Sequence, residues 1–361
     1  MPNTERTKII FDASPLRYLH TGLGQFTYHL IKAFRTHLIQ TLDVSFLIHP
    51  SSKHLVAEFT QEFVTATRLK RHAPPFLFPA LFGRYDLWHV TSENTRFTHF
   101  SKSAKILLTL HGLHFLDEDP PHIAKKKLEH VQRLVNRSNA LATDSAYTER
   151  LVRKHLDIGQ RPIRVIHLGV ENDETPVVKK PAHTPEHGFI FSIGNFFERK
   201  NFHVLLPFLH LLEGYTMVLA GHHSNPYGDR IKEEIHRLGL SQRVFLTGEV
   251  SESEKHWLFQ NCSAFVFPSV SEGFGIPVIE AMRAGKPVFC SLFGSLPEIG
   301  GPHAFYWKNF EAIYMKDFFL EKIRSYYHSR EHEINAKQYA NGFSWGKAAE
   351  GYLSYYTELI E

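Results

Sequence analysis

Glu272 and Glu280 stand eight positions apart in "SEGFGIPVIEAMRAGKPV", residues 271–288. Glu272 sits in a turn with Gly273, Phe274 and Gly275, and Glu280 falls inside a helical pattern of apolar residues. A glycine-rich turn at a helix start offers backbone N–H groups and the positive end of the helix dipole, and its glycines let a ligand approach the main chain closely. Carboxylates accept paired hydrogen bonds from neighbouring hydroxyls. The combination suits a ligand rich in hydroxyls or carrying phosphate. The residues alone leave a second reading open, with Glu272 a dipole partner and Glu280 a surface residue. Upstream, "ERKN" sets Arg199 beside Lys200. That is either a pair of cations for an anion or a solvated turn. Gly22 and Gly24 in "HTGLGQF" mark a tight turn, weak as a signal by itself. The dinucleotide fingerprint G-x-G-x-x-G is absent, since Thr27 holds its last position, which argues against a simple dehydrogenase. His111 ends the apolar run "LLTLHG". It is one of 25 histidines, most of which are expected to be structural or exposed.

The rest of the chain must position these residues. Residues 8–16, "KIIFDASPL", read as a buried strand, and the glycine turn leads into Phe26, Leu30, Ile31 and Phe34 at helical spacing. "LDVSFLIHP", "YDLWHV" and "AKILLTLHG" are further strands. "KKKLEHVQRLVNRSN" is an amphipathic helix, "ALATDS" a strand, "AYTERLVRKHL" a helix, and "IRVIHLG" closes this half. Strands alternating with helices predict a parallel sheet covered on both faces. Residues 171–188 are polar and proline-rich and read as a linker. The alternation then restarts at "FIFSIGN", with Ser251 capping one helix. "AFVFPS" and "KPVFCS" are strands flanking the 271–288 segment. Between them a helix starts at about Ile276, with Pro277 in its first turn and Gly285 ending it. "FSWGKAAEGYLSYYTELIE" is a last amphipathic helix. The predicted division is therefore 1–170, a linker 171–188, 189–342, and a terminal helix in 343–361. In such α/β domains a ligand sits outside the carboxyl ends of the strands, here in a cleft between the two domains.

Composition narrows the class. At 43% hydrophobic and 22% charged, 361 residues make ordinary globular protein, with two domains the expectation. Residues 1–168 hold 23 Lys+Arg against 14 Asp+Glu, and residues 169–361 hold 18 against 23. The basic first half suits an anionic partner or is simply solvated. No basic run with interleaved aromatics resembles a nucleic-acid motif, so no nucleic-acid partner is expected. Cys262 and Cys290 cannot build a disulfide framework and read as buried thiols in a reducing cytoplasm. "MPNTERTKIIFDAS" has no apolar signal core, and no run approaches the roughly 20 residues that span a bilayer. Residues 68–88, "RLKRHAPPFLFPALFGRYDLW", set basic residues beside an apolar patch. This is either a surface for the inner membrane face or a helix packed in the first core.

The spacing of Glu272 and Glu280 resembles the E-x7-E signature of the retaining GT-B glycosyltransferases of the large family four, glycosyl transferases group 1. "FSIGNFFERKNFHVLL", "LTGEVSESEKHWLFQNCSAFVFPS" and "GSLPEIGG" resemble that family's donor-site stretches. "TGLGQFTYHL", "TLHGLHFLDEDP", "DSAYTERLV" and "IRVIHLGV" resemble its N-domain stretches in order. The resemblance implies two Rossmann-like domains facing across a cleft. The first takes a saccharide or lipid-linked acceptor, the second a nucleotide diphosphate sugar, and the last helix crosses back to the first. It implies that Glu280 binds the ribose hydroxyls and that Glu272, with Gly273, Phe274 and Gly275, holds the transferred sugar. Lys200 and Arg199 neutralise the leaving diphosphate, which suits a site where negative charge grows in the transition state. Gly22 and Gly24 lie over the donor phosphates, and His111 contacts the donor sugar through its main chain or side chain. The family's usual wording is His-Asp where this chain has His111-Gly112. Retaining front-face transfer of a hexose is implied, with no protein nucleophile and no cofactor. No Asp-x-Asp or His/Cys cluster lies near the motif, so no metal is expected. The wording is nearest to mannosyltransferases that use GDP-mannose in surface-polysaccharide assembly, with UDP-glucose and related donors also open. A sugar phosphorylase, a nucleotide-sugar epimerase and a non-catalytic sugar-nucleotide binding protein are the alternatives.

Overall fold

The computed structural model describes residues 7–19, 21–37, 42–57, 63–65, 84–95, 103–171 and 178–361. The chain divides into two compact units, Met1–Glu171 with Ser344–Glu361, and Asn172–Phe343. The first unit contains β1 (Thr7–Asp12), α1 (Gly22–His37), β2 (Leu42–Ile48), β3 (Phe63–Thr65), β4 (Leu87–Val90) and β5 (Lys105–Leu110). It continues with α2 (Pro121–Arg137), β6 (Ala140–Thr143), α3 (Ala146–His155) and β7 (Ile163–Val165). Its seven strands run in the order β3-β2-β1-β4-β5-β6-β7, all paired in parallel. "LWHV" and "ALAT" are buried along their whole length. Unbroken runs of this kind belong to strands covered on both faces, where alternation would bring a polar side chain into a core.

The second unit contains β8 (Phe189–Ile193), α4 (Leu205–His210), β9 (Met217–Ala220), α5 (Pro226–Arg237), β10 (Val244–Gly248), α6 (Glu252–Asn261) and β11 (Cys262–Phe267). α7 (Ile276–Arg283), β12 (Val288–Ser291), β13 (Phe305–Trp307), α8 (Ala312–His328) and α9 (Arg330–Ala340) complete it. The strand order is β10-β9-β8-β11-β12-β13, again all parallel. Ser251 caps α6 through a capping box with Glu254, satisfying two N–H groups the first turn would leave open. Residues 178–188 carry neither helix nor strand, yet they belong with this unit. Lys179 N donates to Ser253 O, Gly188 N donates to Asn261 O, and Thr184 is buried. Cys262 and Cys290 are free and buried, and burial pushes the Cys262 thiol up to about 12.

The last helix, α10 (Trp345–Ile360), packs on α1 of the first unit. Trp345 stacks on His29 at 5.3 Å, and Tyr352 lies 6.1 Å from Phe26. Tyr356 reaches further in. Its hydroxyl is 2.6 Å from Nδ1 of His89, whose Nε2 is 2.8 Å from Thr109 Oγ1. His89 is thus a polar residue inside a central strand with both ring nitrogens satisfied. Burial, helped by the charge of nearby His111, pushes its pKa down to about 3.

Both sheets reverse their winding once, between β1 and β4 and between β8 and β11. Open α/β sheets bind ligands outside the carboxyl ends of the strands at such points. Gly22, Gly24, Arg199, Lys200 and Glu272 follow strands at these points, while His111 follows the neighbouring strand β5.

Candidate functional site

In the second unit the two strands beside the switch point, β8 and β11, each deliver one half of an ion cluster. After β8 the chain makes a short 3₁₀ turn, Glu198–Lys200, closed by Asn201 at φ 58°. Asn201 tolerates this left-handed conformation better than most residues, and its buried amide donates to Pro268 O at 3.3 Å. Val270 N donates to Arg199 O at 2.8 Å. These bonds hold the 199–201 turn against the loop after β11. Lys200 Nζ then lies 2.5 Å from Glu272 Oε1, and Arg199 Nη1 3.6 Å from the same oxygen. The Ser269 hydroxyl donates to that oxygen as well, at 2.5 Å. The Lys200 side chain is only 11% exposed and that of Glu272 10%. "ERKN" is therefore not a solvated turn. Burial favours the neutral form of Glu272, but Lys200 and Arg199 outweigh it and hold the carboxyl below its ordinary range. Two cations therefore face this one carboxylate.

Three residues that sequence reasoning did not single out shape this arrangement. Gly194 has φ 151°, and a Cβ there would stand 3.0 Å from Lys200 Cε, so the lysine stem passes over bare backbone. Gly294, at φ 68°, comes within 2.8 Å of Glu272 N by the same measure. Ser295 binds the loop twice, N to Glu272 O at 3.1 Å and Oγ to Phe274 O at 2.7 Å. Glycines after strands are the one signal that would have pointed to the first two.

Gly273, Phe274 and Gly275 lead into α7. Gly275 sits at the N-cap with φ 102° and ψ 48°, and Leu296 Cδ2 lies 2.8 Å from where its Cβ would be. Glu280, one turn into α7, is not a surface residue. Its side chain is 13% exposed, and its Oε1 lies 2.7 Å from Lys255 Nζ of α6. The structure thus brings Arg199, Lys200, Glu272, Gly273, Phe274, Gly275 and Glu280 onto the loop-and-helix surface that follows β8 and β11.

In the first unit, His111 follows β5. Its Nε2 lies 2.9 Å from Thr91 O and its Nδ1 3.3 Å from Asp144 Oδ2. Both partners accept, so the ring satisfies both only as an imidazolium. Burial opposes that form, while Asp144 and Glu93 favour it, and the net shift is upward. The backbone N–H of His111 donates to Glu93 Oε2 at 3.1 Å. Ring and N–H are thus both engaged inside the unit. Asp12, Glu93, His111 and Asp144 all stand at carboxyl ends of the adjacent strands β1, β4, β5 and β6. Gly112 has φ 150°, and a Cβ there would stand 2.7 Å from His114 Nε2. The His114 ring thus occupies the space an aspartate would need at this position.

Gly22 and Gly24 open α1, which also brings Phe26 to 4.5 Å from the His111 ring. Gly24 is there for packing, because a Cβ would meet Tyr18 O at 2.2 Å. A Cβ at Gly22 would meet nothing within 4 Å. Most of the basic-apolar segment 68–88 lies outside the described residues; Tyr85, Leu87 and Trp88 are buried in the first core. Among the described residues no group of three or more His, Cys, Asp or Glu could hold a metal ion, and no helix is long and apolar enough to cross a membrane.

Two parallel-sheet α/β units, each with polar residues gathered at its switch point, make up the GT-B architecture. Residues 173–343 match the family described as "Glycosyl transferases group 1". The chain is a glycosyltransferase, and its second unit, Asn172–Phe343, is the part that resembles that family. It is similar to the O-antigen chain mannosyltransferase B of Escherichia coli, 23% identical over an alignment 331 residues long that covers 81% of this chain and 84% of that one. It is 30% identical over 179 residues to the serotype-specific mannosyltransferase WbdA of the same species, a stretch of 48% of this chain but 22% of that longer protein. In fold it matches Anabaena Alr3699/HepE, solved in complex with UDP-glucose, with TM-score 0.75 and 18% identity over 98% of this chain and all of that one. A glycosyltransferase from Rickettsia africae ESF-5 matches with TM-score 0.73 and 17% identity over 99% of each chain.

Proposed function

We propose that this enzyme transfers mannose from GDP-mannose, with retention of configuration, to a saccharide or lipid-linked acceptor in the synthesis of a surface polysaccharide. The carrying observation is the buried Glu272–Lys200–Arg199 cluster after β8 and β11, which gathers two cations at the carboxyl ends of the strands. In this reading the donor diphosphate lies against Arg199 and Lys200. As the glycosidic bond to the diphosphate breaks, charge grows on the leaving group, and fixed cations in a water-poor site stabilise that charge without reorganising. Glu272 holds both cations in place and accepts hydrogen bonds from the mannose hydroxyls, while the N–H groups of residues 273–275 donate to the sugar's oxygens. Glu280 accepts from the ribose hydroxyls. No step draws on a metal, since two cations already face the diphosphate. The choice of mannose is supported by relatives named as mannosyltransferases, among them an O-antigen chain enzyme.

The test is turnover. The enzyme is incubated with GDP-mannose or UDP-glucose and a panel of mannose-containing acceptors, and nucleotide release and the anomeric proton of the product are followed by NMR. Release of GDP with an α-mannosyl product from this α-linked donor supports the proposal. A β-linked product overturns retention, and turnover with UDP-glucose alone overturns the donor.

A further inference from the structure

Lys255, the partner of Glu280, has a second partner as well. It lies in the first turn of α6, and its Nζ is 2.7 Å from Glu252 Oε2 on its own helix and 2.7 Å from Glu280 Oε1 on α7. The two halves of this bridge differ. Glu252 is 54% exposed, an ordinary i,i+3 surface partner, whereas Lys255 and Glu280 are 16% and 13% exposed. A surface pair of the first kind is worth little. Withdrawing an ammonium and a carboxylate from water costs more than such a pair returns and is poor evidence for a role in stability. The lysine already has a solvated partner, so its reach to Glu280 calls for another explanation.

A glutamate's terminal torsion is broad, and an unpaired Glu280 would sample many carboxylate orientations. Pairing Oε1 with a lysine fixed on a neighbouring helix removes that freedom and presents Oε2 in one direction. Resting on the proposed role of Glu280 in binding ribose, we propose that Lys255 is a positioning residue. It locks the Glu280 carboxylate in the orientation that accepts the ribose hydroxyls of the donor, so that the enzyme's preference for ribonucleotides over deoxyribonucleotides depends on the lysine. The ligand class is a nucleoside diphosphate with an intact ribose diol.

The experiment measures dissociation constants of GDP, UDP, their 2′- and 3′-deoxy forms and inorganic pyrophosphate for wild type, Lys255→Met and Lys255→Arg. A hydrogen bond to a charged group corresponds to about tenfold in affinity. Wild type is expected to prefer the ribonucleotide by about that factor over at least one deoxy form. Lys255→Met is expected to lose most of the preference while binding pyrophosphate as wild type does, and Lys255→Arg is expected to recover it. If Lys255→Met keeps the preference, the inference falls while the ribose reading stands. If wild type shows no preference, the ribose reading itself falls. Equal weakening of pyrophosphate and nucleotide would make Lys255 a diphosphate cation and overturn the positioning role. Should the methionine variant fail to fold, Lys255→Gln, of similar length and uncharged, gives the same reading.

Discussion

Glu272 is a carboxylate withdrawn from solvent and kept ionised by Lys200 and Arg199, and the three cannot be changed independently. Glu272→Gln removes the carboxylate that two partly buried cations face, and breaking a buried ion pair costs about 3–5 kcal/mol in comparable cases. Its melting temperature should fall together with its activity. Lys200→Met removes one cation and leaves Arg199 to balance Glu272. It should melt close to wild type and lose roughly 10²–10³-fold in kcat, as expected for an electrostatic group aimed at developing charge. A Lys200→Met enzyme with near-normal kcat would show that the leaving group is stabilised elsewhere. Because the Glu272 pKa is depressed in the folded state, its contribution to stability is full above the unfolded value of about 4.5 and is lost as pH falls through the folded value.

At the scale of elements, the site depends on how loops leave strands. Gly275 joins the 269–275 loop to α7 at φ 102°, with Leu296 against it. Gly275→Ala should destabilise the second unit by about 1–3 kcal/mol and weaken nucleotide binding, read by calorimetry and titration. An alanine variant as stable as wild type would mean the loop has another conformation open to it. The sequence made much of this legible. The strand before Pro268, the start of α7 near Ile276 and the Ser251 cap all carry local signals, and local chemistry decides them. α8 has a stripe of Met315, Phe319, Ile323 and Tyr326 at helical spacing, blurred by exposed Ile313 and Tyr327. The surroundings of His111 had no such signal. Asp12, Glu93 and Asp144 are isolated acidic residues just after apolar runs, far apart in the chain, and only the order β1-β4-β5-β6 brings them together. The pairing of Glu280 with Lys255 was equally hidden, since it joins two helices 25 positions apart in the chain.

At the scale of the whole molecule, α10 is the last part of the chain and belongs to the core of the first unit, where Tyr356 meets His89. His89 stays neutral in the folded protein down to about pH 3, while in the unfolded chain it titrates near 6.5. Between those values the unfolded state binds the extra proton, so stability falls as pH drops through the window. From pH 7 to pH 5 the loss from this one group is about 2 kcal/mol. His111, whose pKa is raised, acts in the opposite sense, stabilising below about 6.5 and losing that contribution as pH rises through its folded value. The loss of melting temperature between pH 7 and pH 5 should therefore shrink in His89→Gln relative to wild type. An unchanged pH dependence would mean that His89 does not titrate between the two states. The central claim is that the surface after β8 and β11 holds a nucleotide diphosphate sugar. Its most direct test is the thermal shift of wild type and Glu280→Gln with GDP, UDP, GDP-mannose and UDP-glucose. Ligand at about 100 times its dissociation constant adds roughly 2.7 kcal/mol to stability. GDP and GDP-mannose should raise the wild-type melting temperature, and Glu280→Gln should need about tenfold more ligand for the same shift. No shift with any of the four, or equal shifts in both proteins, would contradict it.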